Sequence, residues 1–329
     1  MFWKIKKTTM TFSQFTNNLM QSIYHNFIHI YHIENIGFYT RLYFMFLSLI
    51  SVVSYNRGMN QNINFRNVGK KDFMVYDKCD YSQSKDKNII VIPTLIRSIK
   101  DKNKLINAVN SILINDNIMI IIVDDGSPAI NINNYIKSNN VIIIKHFENY
   151  GPGAARNTGI EFALDNFNSK FITFIDTDCQ IDYDWIEIHE KYQTKSGGIY
   201  CGQTISINND LISNYHDIMG TLNGRSIENG LLYGPSCNMS ISREILDNFR
   251  FDERFPNASF EDVELCVRLI KNGIIPQYIK DAVVFHDYDN SIYGFYNQFY
   301  RYGKSHPLML QIHPQYNSWY SASAEISVC

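Results

Sequence analysis

Four short apolar runs, each separated from the next by a polar or helix-like stretch, limit what this chain can fold into more than any other feature. They are Ile89–Ile92, closed by Pro93-Thr94; Ile118–Val123, closed by Asp124-Asp125-Gly126-Ser127-Pro128; Val141–Ile144; and Phe171–Ile175, closed by Asp176-Thr177-Asp178. After the first run, Leu105, Ile106, Val109, Ile112 and Leu113 recur at helical spacing, and Gly153–Leu164 reads as a helix with small residues at its start. A continuous β-branched run, as opposed to an alternating one, predicts a strand covered on both faces. The series therefore predicts an α/β fold with a mostly parallel, Rossmann-like sheet and flanking helices. In such sheets ligands bind outside the carboxyl ends of the strands, where this pattern gathers acidic and small polar residues.

Several function classes fall away. No G-x-G-x-x-G follows the first run and no G-x-x-x-x-G-K-[ST] occurs, which disfavours a nicotinamide-binding domain and a P-loop enzyme. Lys plus Arg number 30 against 32 Asp plus Glu, a net charge of −2, so no nucleic-acid partner is expected. Cys79, Cys179, Cys201, Cys237, Cys266 and Cys329 form no C-x-x-C pair, which predicts free thiols in a reducing compartment and no structural zinc.

The termini carry less signal. Met1–Lys7 is basic but no apolar stretch follows it directly, so a secretory signal peptide is not expected. Leu42–Val53 is strongly apolar but shorter than the about 20 residues a membrane span needs. Three readings stand for it: a helix buried against the protein or a partner, an interfacial helix with aromatic and basic flanks, and a span. Asn56–Lys87 is polar and reads as a linker or irregular lead-in. The expected organisation is a largely helical extension over 1–87, the α/β domain over 88–290, and a C-terminal helix and tail over 291–329.

Four clusters carry chemistry. Asp176-x-Asp178 after an apolar strand suits a hard cation that bridges to phosphate, or is a solvated turn. Asp124-Asp125-Gly126-Ser127 is a strand-to-helix turn with Ser127 as N-cap, or a site where a carboxylate accepts from a nucleobase N–H while Gly126 permits close backbone approach. Glu261-Asp262-Val263-Glu264-Leu265 opens a helix, where acidic residues complement the macrodipole or present a general base to a cleft. His286 follows the apolar run Ala282–Phe285 as a structural residue, a third metal ligand or a phosphate contact.

Taken in order, IIVIPTLIRS at 89–98, IIIVDDGSP at 120–128, ENYGPGAARNTGI at 148–160, FITFIDTDC at 171–179, GPSCNMSISRE at 234–244, FEDVELCVRL at 260–269 and VVFH at 283–286 resemble the inverting glycosyltransferases of family 2, with the GT-A fold. Residues 1–87 match nothing in that family. The resemblance implies that Pro93 and Thr94 line a nucleotide pocket, that Asp125 contacts the base with Asp124 and Gly126 beside it, and that Asn149, Gly151 and Arg156 help close over the nucleotide and donor. It places Asp178 on a Mn²⁺ or Mg²⁺ ion at the diphosphate, Asp176 and Thr177 toward the ribose or donor sugar, His286 as an additional ligand, and Asp262 as general base with Glu261 beside it.

By the same resemblance the donor is a nucleotide-sugar, most commonly uridine-linked. The acceptor stays open among glycan, lipid-linked, peptide and small-molecule classes. A cytoplasmic enzyme, with contact at most peripheral at the inner face of the membrane, is expected. The first motif lacks the usual Tyr, having Leu95-Ile96 after Thr94. Gln298-Phe299-Tyr300-Arg301-Tyr302 resembles the Q-x-x-R-W box of processive synthases with Tyr in the last place. A nucleotidyltransferase of similar fold and a non-catalytic sugar-nucleotide-binding scaffold are the competing readings.

Overall fold

The computed structural model describes residues 23–24, 26–33, 36–61, 63–76, 86–115, 117–128, 132–136 and 138–325. Met1–Lys7, Cys79 and Cys329 lie outside them. The strands are β1 (Phe73–Tyr76), β2 (Asn88–Thr94), β3 (Ile118–Asp124), β4 (Val141–His146), β5 (Phe171–Ile175), β6 (Cys179–Ile181), β7 (Ile199–Ser206), β8 (Arg225–Ile227), β9 (Gly230–Tyr233), β10 (Asn238–Ser242), β11 (Gln277–His286) and β12 (Ala324–Glu325). The helices are α1 (Phe38–Met59), α2 (Ile99–Ile112), α3 (Pro152–Asn166), α4 (Trp185–Ser196), α5 (Leu211–Ile218), α6 (Arg243–Leu246), α7 (Glu261–Lys271), α8 (Ile292–Ile312) and α9 (Tyr316–Ala322).

Nine strands form one sheet in the order β1-β4-β3-β2-β5-β10-β7-β11-β6. Pairing is parallel from β4 through β3 and β2 to β5, and again between β7 and β11. Strand β10 runs antiparallel between β5 and β7, and β1 and β6 close the two edges antiparallel. This is the mostly parallel α/β architecture the apolar runs predict. Alternation along each strand divides the core in two. Ile89, Val91, Ile121, Val123, Ile142 and Ile144 pack with α3 and α7 on one face, while Ile90, Ile92, Ile120, Ile122 and Ile143 pack with α2 and α4 on the other.

The expected linker contains a strand. β1 pairs with β4 from Phe73 opposite His146 to Tyr76 opposite Ile143, so part of the 1–87 extension is stitched onto the sheet. The cysteines among the described residues, Cys179, Cys201, Cys237 and Cys266, are free and buried.

Leu42–Val53 lies within α1, which is 22 residues long because helical hydrogen bonding continues through less apolar residues at both ends. By length and composition α1 could cross a membrane. One of its faces, with Phe44, Leu47, Ser48, Ser51, Val52 and Gly58, is nevertheless buried, against α8 and α5. The two long helices meet backbone to backbone. A Cβ on Gly303 would sit 1.9 Å from the Tyr55 carbonyl oxygen, and one on Gly58 would sit 2.2 Å from that of Tyr300. Only hydrogen fits at either position. Gly303→Ala is therefore expected to destabilise the fold by roughly 1–3 kcal/mol, since backbone must move to admit the methyl group. Denaturant unfolding of the variant measures it, and unchanged stability would contradict the crossing.

Candidate active site

The strand ends deliver the expected residues to one edge. At the end of β2, Thr94 accepts the Asp125 N–H at its carbonyl (2.8 Å). The Thr177 hydroxyl donates to the Pro93 carbonyl (3.0 Å) and so accepts from the Thr94 hydroxyl (2.6 Å). At the end of β3, Asp124 accepts from the Ser127 N–H (2.8 Å) and pairs with Lys145 (3.4 Å). Ser127 does not cap a described helix; its hydroxyl accepts from the Ile96 N–H (2.7 Å).

Asp125 is almost fully enclosed. One carboxylate oxygen takes His146 Nδ1 and the Tyr150 N–H, each at 2.8 Å, and the other takes the Gly151 N–H at 2.8 Å. Gly126, at φ +77°, packs so tightly on the next loop that a Cβ would lie 2.6 Å from the Glu148 carbonyl carbon. The acidic turn thus fixes the Glu148–Gly151 loop. Arg66, from the extension, holds that loop from outside through the Asn149 carbonyl (3.1 Å).

Arg156 connects this edge to the opposite wall. It is 3% exposed, donating from Nη1 to Glu261 (2.9 Å) and from Nη2 to Asp176 (2.7 Å), with its guanidinium 5.4 Å from the Phe251 ring centre. Arg156 Nε and Glu261 Oε2 are buried without a partner among the described residues. Burial and neighbouring Asp262 push the Glu261 carboxyl up to about 7, although Arg156 opposes them. Burial also raises Asp176, again against Arg156.

Asp262 stands at the start of α7. It accepts from the Val263 N–H (2.8 Å) and the Ser236 N–H (3.1 Å). Phe260, just before it, is held at φ +71°, a left-handed conformation unusual for a bulky side chain. Its ring stacks on His306 at 5.5 Å, so α8 holds the turn that aims Glu261 and Asp262.

Pairing of β6 with β11 brings His286 beside Asp178, Nε2 to Oδ1 at 3.4 Å. Asp178, Cys179 and His286 group their ligand atoms within 4.8 Å. Burial pushes the Cys179 thiol well up, which disfavours its thiolate form. The Asp178 carboxylate and His286 imidazole suit Mn²⁺, with Mg²⁺ a poorer match because it prefers oxygen alone. The buried His286 Nδ1 has no partner among the described residues.

Arg156, Asp176, Glu261 and Asp262 line a cleft of about 500 Å³. Its far wall is aromatic, with Tyr55 of α1, Phe260, Tyr302 and His306. Asp178 lines a separate hollow of about 130 Å³. Pro93, Thr94, Asp124, Asp125, Asn149, Gly151 and His286 are not in the walls of the larger cleft. In the Q-x-x-R-Y segment, Gln298 donates to the Tyr302 hydroxyl (2.9 Å), while the Arg301 side chain is exposed. The motifs did not single out Ser236, Phe260, Arg66 or Tyr55. Ser236 lies in the GPSCN stretch and Phe260 opens FEDVELCVRL, while Arg66 and Tyr55 follow no motif.

Residues 89–250 match the profile described as Glycosyl transferase family 2. A pre-mycofactocin glycosyltransferase of Mycobacterium tuberculosis is 26% identical over 214 residues, which are 59% of this chain and 43% of that protein, so this chain spans less than half of that relative. Staphylococcus aureus TarS 1–349 in complex with UDP-GlcNAc gives a TM-score of 0.48 at 15% identity, covering 63% of this chain and 60% of that one. The mannosyltransferase PcManGT of Pyrobaculum calidifontis, in complex with GDP-Man and Mn²⁺, gives 0.47 at 11% identity, covering 85% and 69%. The profile ends before Asp262 and His286 but contains the β2, β3 and β5 strand ends and Arg156. Residues 89–250, which carry the strand ends and most of the ordered motifs, match glycosyl transferase family 2.

Proposed function

We propose that the chain transfers a sugar from a nucleotide-sugar, uridine-linked by its family resemblance, to an acceptor hydroxyl with inversion at the anomeric carbon. The observation that carries this reading is that Asp176, at a strand end, and Asp262, at a helix start, line one cleft and are joined through Arg156 and Glu261. Donor and acceptor then meet between them. Thr94, Asp125 and the Glu148–Gly151 loop form the nucleotide side, and Asp176 orients the donor sugar. A Mn²⁺ or Mg²⁺ ion held by Asp178 and His286 would neutralise charge on the departing diphosphate.

The N–H groups of Ser236 and Val263 fix the Asp262 carboxylate and leave it lone pairs for the acceptor's proton. Proton removal and attack on the anomeric carbon in a single displacement invert the centre without a covalent sugar–enzyme adduct. The aromatic wall of Tyr55, Phe260 and Tyr302 offers flat apolar surface with hydroxyl edges, and we assign the acceptor to it.

Asp262→Asn is expected to lower turnover by about 10²–10⁴-fold while nucleotide affinity holds, read as nucleoside diphosphate release and by calorimetric titration. Full activity in the variant would remove the base assignment.

Glu261 supplies a pH signature. Its folded value of about 7 lies above the ordinary 4.5, so between those values the folded state holds a proton that the unfolded state has lost. Stability from this group is present below about 4.5 and is lost as pH rises through about 7. Buried His189, His216 and His306, pulled down to about 4, 3 and 4, slope the opposite way below 6.5. The difference between wild type and Glu261→Gln isolates the glutamate. Urea unfolding across this range should show the variant gaining stability relative to wild type as pH rises, and parallel curves would contradict the assignment.

A further inference from the structure

The outward face of α1 carries chemistry that the sugar-transfer reading does not use. Phe38, Leu42, Phe46, Leu49 and Val53 are 69%, 48%, 49%, 40% and 42% exposed. Their spacing of four, four, three and four residues makes one stripe along the helix, about 22 Å long at 1.5 Å per residue. Tyr24, Tyr31 and Tyr39 add exposed aromatic rings at 64%, 65% and 85%. Arg41 ties residues 26–33 to α1 through the carbonyls of Ile30 (3.2 Å) and Ile33 (3.0 Å).

Charge is segregated along the chain. Residues 1–71 contain five lysines and three arginines against the single acid Glu34, a net charge of +7. Residues 72–329 hold 22 basic and 31 acidic residues, a net charge of −9. The near-neutral total conceals a basic, aromatic extension on an acidic body, the asymmetry that marks a segment meeting an anionic surface.

We propose that this face of α1 docks on an anionic lipid bilayer, lying in the interface and not crossing it. A crossing is opposed by the inner face of α1, which is packed against α8 through Gly58 and Gly303. An apolar stripe with aromatic rings and basic residues, free of acids from Ile36 to Lys71, fits the boundary between headgroups and acyl chains. Ser51, Val52 and Tyr55, on the inner side of the same helix, line the cleft. Docking would thus hold the cleft about one helix diameter, ~10 Å, from the lipid. The proposal does not depend on the sugar-transfer reading.

The test is co-sedimentation of the full chain with phosphatidylcholine vesicles with and without phosphatidylglycerol, over a salt series. Pelleting with the anionic vesicles, weakening as salt rises, is the expected result. Leu42→Glu with Phe46→Glu should reduce it by at least roughly tenfold. Both positions are solvent-facing, and an unchanged melting temperature would show that the double variant folds. No pelleting with either vesicle would overturn the proposal, as would pelleting that the double variant and salt leave unchanged. Sedimentation velocity covers the remaining case: a concentration-dependent dimer that the double variant dissociates would assign the stripe to a second copy of the chain, and would likewise overturn it.

Discussion

A single buried guanidinium holds the candidate site together. Arg156 leaves water almost completely and is compensated by Asp176 from the sheet and Glu261 from the start of α7. Such an arrangement contributes little net stability, but removing one partner leaves an uncompensated buried charge, at a cost of about 3–5 kcal/mol. The two carboxylates keep Arg156 charged, and Arg156 in turn limits the rise that burial imposes on them. The distance between the donor side and the base side of the cleft is therefore set by ionic geometry. The small residues of α3 make this reach available, because Ala154, Ala155 and Gly159 are buried on the face that brings the helix down onto β2 and β3.

Around that link the N-terminal extension and the C-terminal helices build the cleft's second half. Tyr55 of α1 bonds to His306 of α8 (2.8 Å), His306 stacks on Phe260, and Phe260 carries the unusual backbone that starts α7. A residue so placed costs of order 1–3 kcal/mol and persists only where its surroundings over-determine it. The extension is part of the same packing chain as the proposed base, although the family 2 match begins only at residue 89.

The parallel strands and their acidic ends were legible because burial on both faces requires uninterrupted β-branched runs, and the chain order then places Thr94, Asp125 and Asp176 at one edge. The sequence offered His286 as one of several readings, a structural residue, a third metal ligand or a phosphate contact, and local pattern alone did not place it beside Asp178. The contact depends on β6, three residues long and too short to show a period. The carboxylate partners of Arg156 lie 20 and 105 positions away, beyond any local pattern. Strand β1 was hidden in a polar stretch because an edge strand with one partner and exposed side chains needs no apolar run. For α1, the apolar run showed a helix, but which side would be covered depended on Gly303 in a segment some 250 residues away.

In the proposed function the strand ends and the Asp178–His286 pair form a metal-dependent site for a nucleoside diphosphate. Thermal unfolding with UDP, GDP, CDP and dTDP, each with Mn²⁺ and then with EDTA, tests it most directly, because a ligand that binds only the native state raises the melting temperature by mass action. A shift with UDP and Mn²⁺ that disappears with EDTA and in Asp178→Ala is the predicted result. No shift with any nucleotide, or one that survives both EDTA and Asp178→Ala, would contradict it.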